Sequence, residues 1–348
     1  APSTVNPKGL PLKGFQQKAK TPYSQGYNLS LQYQINSQLA LSAAYVGSLA
    51  RHIEVNLDPN AVGELLPTGT TTASYVPYQT TALSGNNVTM TAASSSYNSF
   101  QVNLEERAAH GLTFLTNFAW QKTLTNARDP LEGDIGAYRA AFVPGFGIGR
   151  DLARADFDVR RIFHFSGTYN LPYGNGRAFG SNARGLQQVI LGGWSTNFVA
   201  TVQDGQPFTV GCAVATGAGT GCNANLVPGS NPYAHSSVAH FLSAAAFSTP
   251  SAVTTIGQTD FAPLGGGPTQ VSGPPFRRID LSLFKQFHFT EQFYAEFRTE
   301  VFNITNTPNF ANPTALNYIN TTNFGQLTAT RDSPNDPREI QFALKVYW

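Results

Sequence analysis

Period-two alternation in nine separate segments, a low charge content and an alternation of short and long connections together predict one fold class. It is an all-β, antiparallel transmembrane β-barrel of about nine or ten long meander strands, with short periplasmic turns and long extracellular loops. The clearest segment is the last. Ile340, Phe342, Leu344, Val346 and Trp348 form an unbroken apolar ladder, while the residues between them are mostly polar. On a strand, these two sets point to opposite faces. In a membrane barrel one face meets lipid, the other the lumen, and aromatics sit at the interfaces.

Eight earlier segments repeat the pattern. The first runs through Tyr27, Leu29, Leu31, Tyr33 and Ile35, and the second resumes at Leu39, Leu41, Ala43 and Tyr45 and runs towards Asn56. The third holds Phe100, Val102 and Leu104, and the fourth Leu112, Phe114, Thr116, Phe118 and Trp120. Phe163, Phe165, Gly167, Tyr169 and Leu171 mark the fifth, and Trp194, Thr196, Phe198, Ala200 and Val202 the sixth. The seventh carries Ile279, Leu281, Leu283, Phe287 and Phe289; the eighth carries Phe293, Ala295, Phe297, Thr299 and Val301. Strands of about 11 residues at about 3.3 Å each span about 36 Å, which after tilting covers the roughly 25 Å apolar band of a membrane barrel. Strands of a soluble sandwich are shorter.

The connections at 36–38, 109–111 and 290–291 are tight, and the longer one at 172–192 opens on the turn sequence Pro172-Tyr173-Gly174-Asn175-Gly176. Between them lie the long segments 57–96, 125–158, 212–275 and 305–337. A Greek-key sandwich would not sort its loops this way. Parity then places the entry to the first strand outside the cell. Residues 1–24, with four prolines, read as an extracellular loop remnant, and 25–348 as a partial barrel without a plug domain. Because single-chain bacterial barrels have an even strand count, the expectation is the C-terminal part of a larger barrel.

Composition agrees. Charged residues are 12% and aromatics 12%, with a net charge of +2. Mean hydropathy is close to zero, as alternating lipid-facing and lumen-facing residues require. No basic run or stacking motif points to nucleic acid. No apolar stretch approaches the roughly 20 residues of a membrane-spanning helix.

Several segments resemble the C-terminal barrel region of TonB-dependent outer-membrane receptors, in particular the Oar-like subgroup. They include Thr21-Pro22-Tyr23, Ala44-Tyr45-Val46-Gly47-Ser48, Tyr97-Asn98-Ser99-Phe100-Gln101-Val102 and Asp158-Val159-Arg160-Arg161. Leu171-Pro172-Tyr173-Gly174, Gly192-Gly193-Trp194, Gly205-Gln206-Pro207-Phe208-Thr209-Val210, Asp280-Leu281-Ser282-Leu283-Phe284-Lys285 and Glu300-Val301-Phe302-Asn303-Ile304-Thr305-Asn306 follow in order. The resemblance implies a parent transporter with a barrel of about 22 strands. Its partners would be outer-membrane lipid, the barrel-assembly machinery reading the terminal ladder, a TonB-type energy-coupling protein engaged through the missing N-terminal part, and an extracellular ligand. The location implied is the outer membrane of a Gram-negative bacterium. The alternative is a structural or adhesive outer-membrane barrel whose loops bind partners.

Neither catalysis nor a cofactor is expected. Glu105, Arg107, Asp280, Glu296, Arg298 and Glu300 lie on polar faces and are read as lumen-facing charges that pair across strands, rather than as the paired carboxylates of a glycosidase. Asp151, Asp156 and Asp158, interleaved with Arg150, Arg154, Arg160 and Arg161, read as an ion-pair network rather than a calcium site. The glycines from Gly217 to Gly221 lack the strand–helix context of a nucleotide loop. Cys212 and Cys222 could form a metal or redox pair, but the nearest histidine is His235; a loop-closing disulfide is expected. Tyr33, Tyr45, Trp120, Tyr169, Trp194 and Trp348 fit an interface girdle, and Tyr75, Tyr78, Tyr233 and Phe241 sit in the loops.

Overall fold

A computed structural model describes residues 10–79, 86–127, 147–212, 222–234, 236–260, 262–290, 292–331 and 337–348. The side chains of Ala109 and Arg150 are outside this description. So are the glycines from Gly217 to Gly221, together with His235, Pro2 and Pro7.

Nine long strands form one antiparallel sheet in simple sequence order. They are β1 (Tyr23–Gln34), β2 (Leu39–Leu57), β3 (Asn87–Ala109), β4 (Leu112–Thr125), β5 (Arg161–Asn170), β6 (Trp194–Gln203), β7 (Phe276–His288), β8 (Tyr294–Phe302) and β9 (Glu339–Tyr347). Each pairs with its chain neighbours, and among the described residues no ladder joins β1 to β9. No described helix is long and apolar enough to cross a membrane.

The register carries the apolar rows across the sheet, because directly paired residues share a face. Leu31 pairs with Ala43, Ala43 with Val102, and Val102 with Phe118. Further on, Phe163 pairs with Val202, Phe198 with Leu281, Leu281 with Val301, and Val301 with Ile340. The apolar positions are widely exposed, with Leu31 at 70% and Phe342 at 71%. A sheet that turns its large apolar side chains outward has no water-soluble partner for that face.

Local chemistry closes the tight turns. Asn36 accepts the N–H groups of Gln38 and Leu39 at 2.8 Å each, fixing the β1–β2 turn. His110 and Gly111 both have positive φ, as a two-residue hairpin turn compatible with strand twist requires. Thr290 Oγ1 accepts the N–H of Phe293 at the β7–β8 turn. Close packing fixes Gly47: a Cβ there would lie 2.1 Å from the Tyr27 ring that crosses it. The freed Tyr27 hydroxyl donates to Asn98 at 3.0 Å, beside that of Tyr45 at 2.7 Å.

β3 starts at Asn87, well before the third sequence segment, and β2 runs on to Leu57. Two register shifts separate the regular part from this extension, and His52 has positive φ at the first of them, between Arg51 and Ile53. The bulge lets the ribbon bend away from the wall. Beyond it Val55, Leu57 and Ala93 make a small core of their own. Within the first 24 residues, Lys13–Phe15 pairs parallel with Asn87–Thr89 on this extension and stands off the main path.

The connection between β5 and β6 carries a short helix, α1 (Leu186–Leu191), on the tight-turn side of the sheet.

Candidate functional site

At the opposite end from the tight turns, the connections after β4, β6 and β8 fold into one cap. Its core is Phe208, Val210, Ala224, Leu242, Ala246, Phe247, Val271 and Phe324, drawn from the β6–β7 and β8–β9 connections. Short ladders pin these segments, Pro207–Phe208 against Val271–Ser272 and Asn225–Leu226 against Phe247–Ser248. Between the two connections, the Phe241 N–H donates to Gly325 O, and Leu327 N–H to Val238 O. Gly265 has positive φ, and a Cβ there would collide with Asn223 O, so only glycine fits.

Asp158 ties the cap to the wall. It is 1% exposed and accepts from the Thr123 N–H at 2.7 Å, Arg154 Nε at 2.8 Å and Arg160 Nε at 3.2 Å. Arg154 also donates to Ser272 Oγ at 2.9 Å, and its carbonyl accepts from Thr269 Oγ1 at 2.9 Å. Tyr233 closes the same corner: its hydroxyl donates to Ser272 O at 2.8 Å and accepts from Ser272 N–H at 2.7 Å. Burial holds this hydroxyl above its ordinary pKa, against the opposing pull of the bond to Ser272 and of the Arg154 charge. Asp156 is exposed, and among the described residues no group of three potential ligands could hold a metal ion.

The polar-face charges pair along their own strands, and this corrects the expected cross-strand pairing. Arg107 reaches Glu105 at 2.8 Å and 3.2 Å, and Arg278 reaches Asp280 at 2.9 Å and 3.1 Å. Arg298 lies 2.8 Å from Glu296 and 3.6 Å from Glu300. Residues i and i+2 share a face about 7 Å apart, and long side chains bridge that easily. Across the strands, Glu296 accepts from the neutral Gln286 at 3.1 Å, and Arg298 stacks 5.6 Å over Phe284. Asp280 has another task, accepting the N–H of Asn303 where β8 ends.

Cys212 and Cys222 are joined, with Cα atoms 5.5 Å apart. They lie at the edge of the cap core, where the Cys212 N–H donates to Cys222 O. A cross-link closing this short loop contributes about 2–3 kcal/mol in the chain-entropy model. Thiol titration of the unreduced protein should find no reactive thiol, and Cys212→Ser with Cys222→Ser should lower the cap's unfolding midpoint. Two titratable thiols would overturn the pairing.

A cavity of about 290 Å³ opens between the two connections, lined by Ser237, His240, Ser243 and Thr321 over a floor of Leu242 and Phe324. Tyr233 and Phe241 pack on each other at 5.5 Å beside it, so these two build the cap. Tyr75 packs against Val62, Leu66 and Val76 in another loop, where Tyr78 stays half-exposed. Sequence reasoning missed His240, Ser237 and Thr321, since nothing periodic marks residues that meet only through loop folding.

Residues 1–341 match the family model described as an outer membrane beta barrel domain. The chain belongs to this family. Outer membrane β-barrel domains present apolar rows to lipid, short turns to the periplasm and long loops to the outside. Among solved structures, the chain is similar to the outer membrane transporter YddB from Escherichia coli, at 11% identity and a TM-score of 0.48, over 98% of this chain and 34% of that one. It is also similar to BauA, the ferric preacinetobactin receptor from Acinetobacter baumannii, at 9% identity and a TM-score of 0.46, covering 93% and 29%. The FrpB iron transporter from Neisseria meningitidis matches at 9% identity and a TM-score of 0.44, covering 97% and 33%. The chain spans about a third of the length of each of these structures. No match is found among curated proteins.

Proposed function

We propose that this chain is the C-terminal part of the barrel wall of a TonB-dependent transporter, and that its cap contributes to binding an extracellular ligand. The observation that carries this reading is the cap itself. Loops of a merely structural barrel need no shared buried core, whereas a ligand must meet fixed side chains. The cavity with His240 and Ser237 is the part of the cap we assign to ligand contact. Glu105, Arg107, Asp280, Glu296, Arg298 and Glu300 then face the lumen, where ion pairs along the strands keep charge solvated. Residues 10–22 belong to the loop preceding β1, which takes Tyr23 and Ser24 from the expected 1–24 segment, and a plug and a TonB-type contact belong to the rest of the parent.

The test is capture of a TonB-type protein's C-terminal domain by the full-length parent in detergent. Capture that is lost when the parent's N-terminal part is deleted supports the transporter. A parent that has no plug and captures nothing would be a structural or adhesive barrel.

We further assign Ile340, Phe342, Leu344, Val346 and Trp348 to recognition by the barrel-assembly machinery. Trp348 is 94% exposed and makes no core of its own. Deleting Trp348 from the parent should lower the yield of heat-modifiable barrel far more than Trp120→Ala, which removes one interfacial aromatic elsewhere. Equal yields would make Trp348 a girdle residue only.

A further inference from the structure

The connection between β5 and β6 is the exception among the periplasmic turns, and its helix is inside out. Gln188 Oε1 accepts the Asn175 N–H at 2.7 Å, and Gln187 Nε2 donates to the Tyr173 hydroxyl at 2.7 Å. Both polar side chains therefore face the turn. Leu186, Val189, Ile190 and Leu191 are all exposed, Leu186 at 77% and Ile190 at 59%. A helix bathed in water would present the reverse.

Its position is fixed by two residues of the apolar face. Trp194 Nε1 donates to Ile190 O at 2.8 Å. Lys285 Nζ donates to Gln188 O at 3.3 Å and to Gly192 O. Trp194 and Lys285 are direct partners, and Lys285 also pairs with Phe297, which pairs with Leu344. The helix therefore lies against the outside of the wall, near its periplasmic rim.

Lys285 interrupts the apolar row Ile279, Leu281, Leu283 and Phe287, yet it is only 4% exposed. A lysine on a lipid face usually snorkels to water. This one is turned to the carbonyls at the C-terminal end of α1, where a cation suits the helix dipole, and lies over the Trp194 and Phe287 rings at 5.6 Å and 5.1 Å.

We propose that α1 is an in-plane anchor seated in the interface of the inner, phospholipid leaflet, and that Lys285 is the latch holding it to the barrel. The apolar side of the helix continues the lipid-facing surface of the wall, so the same lipid covers both. Charge agrees, because residues 172–193 contain Arg177 and Arg184 and no acid, and both arginines are exposed, Arg184 two residues before the helix. Anionic phospholipid headgroups complement that pattern.

The inference rests on the assignment of the apolar face to lipid, and the experiment separates the two. The full-length parent is placed in vesicles of phosphatidylethanolamine and phosphatidylglycerol. Single nitroxides are attached without reductant at Ile190→Cys, at Phe342→Cys on the apolar face and at Gln38→Cys in a turn. Collision with oxygen and with a water-soluble nickel chelate is then measured. Expected is nickel contact at Ile190 several-fold below that at Gln38, with Phe342 lower still. A water-like Ile190 beside a lipid-like Phe342 overturns the anchor, while a water-like Phe342 would overturn the lipid-face assignment instead. Adding Lys285→Met should raise both nickel contact and mobility at Ile190 and leave Phe342 unchanged. No change at Ile190 overturns the latch. If Lys285→Met fails to fold, Trp194→Phe, which removes the other tether while keeping an aromatic, should loosen Ile190 partially, and an unmoved label there overturns the tethering.

Discussion

Replacing Asp158 by alanine should release the extracellular cap from the barrel wall while leaving the nine-strand meander in place. The carboxylate is buried and serves three donors, the Thr123 N–H, Arg154 and Arg160. Removing one member of a buried pair strands the other charge and costs about 3–5 kcal/mol. Arg154 keeps Ser272 as a partner and Arg160 reaches solvent, so about 3 kcal/mol, the lower end, is expected. That loss falls on the cap, because Arg154 is what joins the connection after β4 to Ser272 and Thr269 in the connection after β6. The measurement is hydrogen exchange on the full-length parent in detergent. Amides of Gly211, Ala224 and Ser272 should lose protection, while those at the centres of β5 and β6 keep theirs. Unchanged exchange at all three cap amides would mean that the cap core holds without the ion-pair hub.

The strands were legible because a membrane wall enforces strict alternation: water is excluded from one face, so each outward position must be apolar. Each of the nine segments coincides with an observed strand for that reason, with Ile35, Leu171, Phe289, Phe293 and Trp348 one residue beyond the strand ends. Legibility stopped where lipid stops. Within the first residues of β3, Asn87 to Ser96, only Val88 and Met90 are large apolar side chains, too few to mark a strand, because this part of the ribbon packs on its own small core around Val55 and Leu57. The cap was illegible for a different reason. Its core joins Val210, Leu242 and Phe324, residues far apart in sequence and without a shared period, and only chain folding reveals that they meet.

The charges share the strand faces opposite the apolar rows, as alternation predicts, but they bond to partners other than the expected cross-strand ones. Alternation says which face a carboxylate takes, not whether its arginine sits across the ladder or two residues along it. Glu296 shows the consequence: Arg298 on its own strand takes one oxygen, and the neutral Gln286 on β7 takes the other. Lys285 was the one clear signal left unused. A lysine breaking an otherwise apolar row marks a place where something polar must approach from outside, and α1 is what approaches.

An arginine in place of Phe198 should be among the most damaging single changes in the wall. Phe198 stands mid-strand on β6, paired with Gly167 on one side and Leu281 on the other, and its ring stacks on Phe165 at 4.9 Å. Gly167 is closed in by the same packing, since a Cβ there would lie 2.5 Å from Thr113 O and 2.8 Å from Phe198 Cζ. Charge on the lipid face near the bilayer midplane costs about 2–4 kcal/mol, falling to about 0–1 kcal/mol near the interfaces. Phe297 is a weaker test, because it lies level with Trp194 and Lys285 towards the periplasmic rim. Phe198→Leu serves as the packing control, so the difference between arginine and leucine isolates the lipid term. Ser282→Arg serves as the opposite-face control. Ser282 pairs with Asn197 and with Glu300, so an arginine there meets a carboxylate on the polar side. Urea midpoints of the full-length parent in phospholipid vesicles should fall by the equivalent of about 2–4 kcal/mol for Phe198→Arg relative to Phe198→Leu, and by much less for Ser282→Arg. A larger loss for Ser282→Arg than for Phe198→Arg would reverse the faces. The rows that end in Phe342 and Leu344 would then line the lumen.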